Sequence, residues 1–236
     1  MLPTLDEAGA IGSVIDRIPW HVLETEGWHG RVVVIDGGSS DGTAELAERQ
    51  GAIVHQQPGI GKGDALRFGF SEFLQSGDDA LVMLDADGTY RPEEVPGLLH
   101  GLSDVPVMVG DRLNGRMEKH AMSRFNLLGN LLLTWLAVAL HGTMIPDLCT
   151  GMWAFRREAI AGMSLNSMRF EIEAELYASC ARQNLRIGSM PITYGTRIGD
   201  PKLGSIRDGA TILRKIVVRR VFTEALEPKL DGGGDP

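Results

Sequence analysis

Three short apolar runs, each closed by an acid, constrain what this chain can fold into more than any other feature. Arg31 to Ile35 carries Val32-Val33-Val34-Ile35 and ends at Asp36-Gly37-Gly38, Ala80 to Leu84 ends at Asp85-Ala86-Asp87-Gly88, and Val105 to Gly110 ends at Asp111. Runs of this length, rich in aliphatic and β-branched residues, read as strands buried on both faces. Helical patterns lie between them. Ser39-Ser40-Asp41-Gly42-Thr43 supplies N-cap residues for a helix through Arg49, and Asp64 to Leu74 sets Leu66, Phe70 and Phe73 near a 3.6-residue period. Ala52 to His55 reads as another short strand, and Pro92-Glu93-Glu94 opens a helix. Strands alternating with helices of this size make βαβ units: an α/β domain on a mostly parallel central sheet flanked by helices.

In such sheets the ligand crevice lies off the carboxyl ends of the strands, where Asp36, Asp85 and Asp111 are expected. Unpaired buried carboxylates cost several kcal/mol, so a cation or polar ligand is their expected partner. Asp85 and Asp87, at alternate positions past a strand, can aim two carboxylates at one Mg2+ or Mn2+ ion. Such hard ions complete their shell with phosphate oxygens and water, which suits a diphosphate leaving group. A surface turn with two solvated acids is the plainer reading. Gly59-Ile60-Gly61-Lys62-Gly63 fails the Walker pattern, with Gln56 at its first position and Gly63 after the lysine. It fails the dinucleotide fingerprint at Asp64. What remains is a glycine loop offering Lys62 to an anion, or an ordinary turn.

The 236 residues, 43% of them hydrophobic, fit one large α/β domain or a domain with a small appendage. Twenty-three basic against 31 acidic residues leave a net charge of −8, which argues against general nucleic-acid binding. Cys149 and Cys180 form no C-x-x-C pair, so neither a disulfide framework nor a zinc site is expected, and a reducing cytosol is. The N-terminus carries no signal-peptide pattern. The longest apolar stretch, Leu127 to Leu140, is broken by Gly129, Asn130 and Thr134. It falls short of the roughly 18 residues of a membrane span and reads as a buried core helix or an interfacial one.

Further along, Phe170 to Gln183 is helical, carrying Glu171, Glu173 and Glu175, and Ile187 to Tyr194 reads as a strand. Ile206 to Val221 has an apolar stripe at Ile206, Ala210, Leu213, Val217 and Val221. From Arg197 to Arg220 seven Lys and Arg face two Asp, a net +5. A basic amphipathic helix suits an anionic membrane surface; the alternative is a helix packed on the domain with its charges solvated. The expected organisation is a catalytic domain over 1–205, this helix over 206–222 and a disordered tail over 223–236.

The ordered stretches MLPTLDEAGAI, VVVIDGGSSDGTAELA, GIGKGDALRFGF, LVMLDADGTYRPEEV, VGDR, PDLCTGMWAFRREA, FEIEAELYASCARQNLRI and PITYGTR cover residues 1 to about 215. Together they resemble family 2 glycosyltransferases of the branch that makes dolichyl- or polyprenyl-phosphate sugars. The DLCTGMW version is most similar to archaeal enzymes that load UDP-glucose or UDP-N-acetylglucosamine onto dolichyl phosphate. The resemblance implies a Rossmann-like nucleotide-diphospho-sugar transferase fold of GT-A type and an inverting, metal-dependent transfer that feeds protein or surface glycosylation. By motif, Pro3, Thr4, Leu5 and Glu7 would line the base pocket, Asp36 would contact the base and Lys62 would lie beside the nucleotide. Asp85, Ala86 and Asp87 would hold ribose and metal–diphosphate, with Asp85 and Asp87 as the metal ligands. Arg112 and Arg124 would bind the acceptor phosphate, Asp147 would stand beside the acceptor, and Arg197 and Lys202 would lie in a loop closing over the donor.

Three departures from the family pattern shape the expectations. The chain begins almost at the first motif, so the first strand is expected to be short. The family's Asp-Asp-Gly-Ser turn is Asp36-Gly37-Gly38-Ser39 here, with one acid fewer. The paired C-terminal membrane helices of some relatives are missing from the pattern, so the lipid is expected to be met peripherally, on the cytoplasmic face. A phosphate acceptor is already anionic, with a second pKa near 6, and needs no strong base. A sugar-hydroxyl acceptor would need one, and Asp147 is then the first candidate. GDP-mannose is the alternative donor. A nucleotidyltransferase is disfavoured because residues 1–12 lack a glycine-rich triphosphate loop, and a non-enzymatic peripheral membrane scaffold leaves the acidic rim without a purpose.

Overall fold

The computed structural model describes residues 1–199 and 205–222. In chain order the elements are β1 (Leu2–Thr4), α1 (Ile11–Asp16), α2 (Trp20–Thr25), β2 (Val33–Asp36), α3 (Thr43–Arg49), β3 (Ile53–Gln56), α4 (Lys62–Ser76) and β4 (Ala80–Met83). A 3-10 turn at Pro92–Glu94 leads into α5 (Val95–Gly101), β5 (Val107–Met117), α6 (Arg124–His141), β6 (Trp153–Arg156), α7 (Arg157–Ala161), α8 (Ile172–Arg182), β7 (Ile187–Tyr194) and α9 (Ser205–Val221).

β2 pairs in parallel with both β1 and β3, while β6 runs antiparallel between β4 and β5, and β5 pairs in parallel with β7. Met1 joins the two groups: its ammonium donates to Val82 O at 2.7 Å, and Leu84 N donates to Met1 O at 3.3 Å. The strands therefore follow one another as β3-β2-β1-β4-β6-β5-β7. Among the described strands, three of the five pairings are parallel and the two antiparallel ones both involve β6. That strand is absent from the sequence expectation because its four residues are buried or nearly so and show no alternation. β5 also outruns its expected end. Asp111 lies inside it, opposite Pro191 of β7, rather than past its tip.

Alternate side chains feed two cores on opposite faces of the sheet. Met83, Val107, Val109, Trp153 and Phe155 pack against α4, α8 and α9 through Phe70, Tyr177 and Ile216. Leu2, Val34, Leu84, Met108 and Ala154 pack against α1 and α5 through Ile11, Val14 and Leu98.

β1 is short, as expected, and a cavity of about 820 Å³ opens beside Met1, lined by Val32 and Val33 on one side and Ala80, Leu81 and Val82 on the other. Asp78, Asp79 and Gly27 to Arg31 also line it, which puts it at the amino ends of the strands, away from Asp85 and Asp87. Met1 is partly buried, and desolvation pushes the pKa of its ammonium down to about 5.

α6 is not the buried core helix that one reading of its sequence allows. Its inner face is Asn130, Thr134 and Ala137, while Phe125, Leu128, Leu131, Leu132 and Trp135 are exposed. α9 packs on α6 and α8, but not through the whole of its predicted stripe. Ile212, Ile216 and Arg219 face inward, and Leu213, Val217 and Val221 of the apolar stripe face out. No helix among the described residues is long and apolar enough to cross a membrane. The 223–236 tail lies outside them.

Candidate active site

The carboxyl end of β4 delivers Asp85-Ala86-Asp87 into a tight turn. Gly88, at φ +80°, supplies the left-handed conformation that closes it. Asp87 is 2% exposed and accepts from Thr89 N at 2.9 Å and Thr89 Oγ1 at 2.5 Å, which fixes its rotamer. Its other oxygen meets Arg197 Nη2 at 2.5 Å, and Arg197 Nη1 lies 3.6 Å from Glu7. The chain leaving β7 thus crosses the Asp87 turn, held by Gly195 N to Thr89 O at 2.7 Å and Ile198 N to Asp87 O at 3.0 Å.

Asp85 pairs with Lys62 Nζ at 2.6 Å, and the same ammonium reaches Glu173 Oε1 of α8 at 2.6 Å. Lys62 opens α4 from a loop where Gly61, at φ +92°, and Gly63 lie so close to the Met168 and Ser167 carbonyls that a Cβ at either would strike backbone. Burial works against the Lys62 charge, but Asp85 and Glu173 outweigh it and raise the pKa above the ordinary lysine value. Burial pushes Glu173 up; Lys62 opposes this and Asp85 adds to it. Glu173 belongs to the site and was not singled out from the sequence. Its signal, an acid in the FEIEAE run, is indistinguishable there from a solvated helix face.

Asp36 and Asp111 differ from expectation: their carboxylates serve their own turns. Asp36 accepts from Gly38 N and Ser39 N, both at 3.0 Å, and from Ser39 Oγ at 2.5 Å, with Thr4 Oγ1 at 3.4 Å. Asp111 accepts from Leu113 N and Asn114 N at 3.0 Å and Asn114 Nδ2 at 2.7 Å. Expected to wait for a ligand, these acids instead have protein donors, as buried carboxylates require. Pro3 and Thr4 end β1 beside Asp36, Leu5 is exposed next to them, and Ala86 is buried between the two aspartates.

A second cluster stands on β5 and α6. Asp147, with no exposed surface, takes a bidentate pair from Arg112, Nε at 2.7 Å and Nη2 at 2.8 Å. It also accepts from Arg112 N at 3.2 Å and Asn130 Nδ2 at 2.7 Å. The Arg112 guanidinium lies 5.0 Å from the centre of the Tyr194 ring, which in turn meets Tyr90 edge-on. Tyr90 accepts from Gly151 N at 2.5 Å, and Gly151 lies so close to Asp85 that a Cβ there would strike its carboxylate. The two clusters are therefore one connected site. Arg124 is set apart from them, exposed at the first turn of α6, and Lys202 lies outside the described residues.

Among the described residues, Asp85, Asp87, Glu173 and Glu7 face Lys62 and Arg197, four negative charges against two positive. A net −2 in a partly desolvated cleft is the charge a divalent cation neutralises. Among the described residues no group of three or more His, Cys, Asp or Glu side chains is suited to a metal. The two acids past β4, Asp85 and Asp87, could act as protein ligands, with diphosphate and water supplying the rest. The donor set fits, provided Lys62 and Arg197 turn from the carboxylates to the phosphates.

The Glycosyl transferase family 2 profile matches residues 1–162. The chain belongs to that family. It is 37% identical over 222 residues to glycosyltransferase AglJ of Haloferax volcanii, covering 93% of this chain and 70% of that protein. It is 35% identical over 221 residues to the dolichyl-phosphate hexose transferase of the same organism, covering 92% and 91%. Among solved structures, glucosyl-3-phosphoglycerate synthase of Mycobacterium tuberculosis with Mn2+, UDP-glucose and phosphoglyceric acid superposes with a TM-score of 0.69 at 21% identity, over 93% of this chain and 78% of that one. This likeness establishes the GT-A-type fold.

Proposed function

We propose that this family 2 glycosyltransferase moves a hexose or N-acetylhexosamine from a nucleoside diphosphate to the phosphate of a dolichyl or polyprenyl lipid, with inversion, feeding protein or surface glycosylation. The observation that carries the acceptor class is the state of Asp147. Four donors from Arg112 and Asn130 occupy its carboxylate, so its oxygens are turned to protein partners rather than to an acceptor hydroxyl. A phosphate monoester needs no proton acceptor. One of its oxygens bonds to the anomeric carbon as the bond from that carbon to the nucleoside diphosphate breaks, and the diphosphate leaves with the electron pair.

The residues then divide the work. Asp85 and Asp87 would hold a Mg2+ or Mn2+ ion, which would supply charge neutralisation for the leaving diphosphate. Lys62 and Arg197 move from these carboxylates onto phosphate oxygens, and Arg197, which crosses the Asp87 turn, helps close the site. Pro3, Thr4, Leu5 and Glu7 border the base, and Asp36 shapes the turn beneath it. Asp147 and Asn130 orient Arg112, whose remaining N–H groups face the acceptor phosphate, with Arg124 as a second cation further out. Removing water from this set strengthens each interaction.

The likeness to a dolichyl-phosphate hexose transferase supports the acceptor. UDP-glucose and UDP-N-acetylglucosamine are the favoured donors, with GDP-mannose the alternative. A donor panel with dolichyl phosphate and Mn2+, followed by nucleoside diphosphate release, tests this. Turnover with one donor only when dolichyl phosphate is present is expected; turnover with no donor, or only with a sugar-hydroxyl acceptor, overturns it.

A further inference from the structure

The run Phe170-Glu171-Ile172-Glu173-Ala174-Glu175 puts three acids at the start of α8, and each holds a different part of one structure. Glu173 grips the Lys62 ammonium. Glu171 accepts from Met168 N at 3.1 Å and Arg169 N at 3.4 Å. Glu175, with no exposed surface, accepts from Asn166 N at 2.9 Å and Ser167 N at 2.7 Å. The segment 166–169 fixed in this way is the seat of the Lys62 turn. Gly63 N donates to Met168 O at 3.1 Å, and the Ser167 and Met168 carbonyls are the atoms that Gly63 and Gly61 approach too closely for a Cβ. The second oxygen of Glu175 is held by α9. Arg219 donates to it through Nε at 2.7 Å and through Nη2, and Lys215 Nζ lies 3.4 Å away. Arg219 Nη2 also donates to Ser164 O at 3.2 Å and Lys215 Nζ to Asn166 Oδ1 at 2.8 Å, so both cations hold the chain leading into the segment.

We infer that Glu175 and Arg219 are positioning residues for the donor diphosphate, so that the seating of α9 sets how tightly the nucleotide is held. The contacts run from Arg219 to Glu175, from Glu175 to the backbone of Asn166 and Ser167, and from the Ser167 and Met168 carbonyls to the turn that aims Lys62 between Asp85 and Glu173. Packing of α9 does not call for these charges, because Ile212 and Ile216 already join the core. A buried carboxylate among cations gains little stability over apolar side chains of the same volume, since desolvation cancels most of the attraction. What the carboxylate does, and an apolar group cannot, is hold two backbone N–H groups in place. Lys62 opens α4 with its backbone pinned by Gly61 and Gly63, so a displacement of Ser167 and Met168 carries its ammonium with it. A cation shifted from its anion loses affinity even where its charge is unchanged. This role rests on Lys62 as a ligand of the diphosphate and adds what keeps that lysine in place.

Calorimetric titration of the full chain with UDP and with GDP, each with Mn2+, tests this in a double-mutant cycle. Lys62→Ala should weaken the tighter-binding nucleotide. Arg219→Gln should weaken it about tenfold in the wild-type background and by less than about twofold in the Lys62→Ala background. Arg219→Lys should recover part of the loss, and Arg220→Gln, at an exposed position of the same helix, should leave the affinity alone. In turnover, Arg219→Gln should raise the donor KM but not the acceptor KM, whereas a general loosening of the fold would move both. Near-ultraviolet circular dichroism reports whether each variant is folded at the titration temperature; if Arg219→Gln does not fold, Arg219→Lys carries the same cycle with a roughly threefold effect. An affinity unchanged by the Arg219 substitution, or the same loss in both backgrounds, overturns the role of Glu175 and Arg219. Unchanged affinity in Lys62→Ala, or no binding of either nucleotide by the wild type, overturns instead the reading of Lys62 as a donor ligand, and this role with it.

Discussion

The proposed role of Asp147 runs through its partners, Arg112 and Asn130. With Arg112 bidentate and Asn130 alongside, Asp147→Asn leaves a buried guanidinium short of a charge partner, at a cost of about 3–5 kcal/mol. The expected outcome is a lower melting temperature and a raised acceptor KM, with kcat reduced less than the roughly 100-fold that loss of a general base would bring. Steady-state kinetics across pH 6–9 separate the two, because loss of a base also removes the acidic limb of the profile. Glu173 makes a sharper case. Glu173→Gln removes one of the two carboxylates on Lys62 and takes the cleft from −2 to −1. Mn2+ affinity in the presence of UDP should fall at least about tenfold. Electron paramagnetic resonance of free Mn2+ reads this directly, and unchanged affinity would remove the site's charge balance from the account.

Elements were legible in the sequence wherever local pattern reports them. The alternation of β-branched runs with helical periods locates β2, β3, β4 and the start of β5, and Ile187–Tyr194 is a strand as read. β6 escaped because four residues buried on both faces carry no period. The orientation of α6 escaped for a different reason: periodicity finds an apolar stripe but not which side of the stripe meets solvent. The aspartates of the site were legible as acids after strands. Their partners were not, because Lys62–Glu173 and Arg197–Asp87 join residues far apart in sequence, and the self-capping of Asp36 and Asp111 depends on turn conformation. Gly151 belongs to this scale as well. A Cβ there meets the Asp85 carboxylate, so Gly151→Ala should cut transfer sharply while the melting temperature moves little, since the acid can turn toward the open cleft. An unaffected kcat would separate the two clusters that Gly151 joins.

At the scale of the whole molecule, the sheet is joined through Met1, and burial perturbs the titration of its ammonium. The folded pKa, about 5, lies below the ordinary value of 8.0. Between those values the unfolded chain holds a proton that the folded chain does not, so stability rises with pH through this window, by at most about 4 kcal/mol. Urea melts at pH 5.5 and 8 should show the difference. A variant with several apolar residues placed ahead of Met1 replaces the ammonium by a peptide N–H and fills the cavity between β2 and β4. It should melt higher and lose this slope; an unchanged slope would mean that the ammonium is not its source.

Sugar transfer to a lipid phosphate at Asp85 and Asp87, as proposed, is tested most directly by the mass of the lipid product formed with Mn2+ by the wild type and by Asp87→Ala. The prediction is a polyprenyl phosphate heavier by one glycosyl residue from the wild type, absent with EDTA and absent from Asp87→Ala. Full product yield from Asp87→Ala in the presence of EDTA would contradict it.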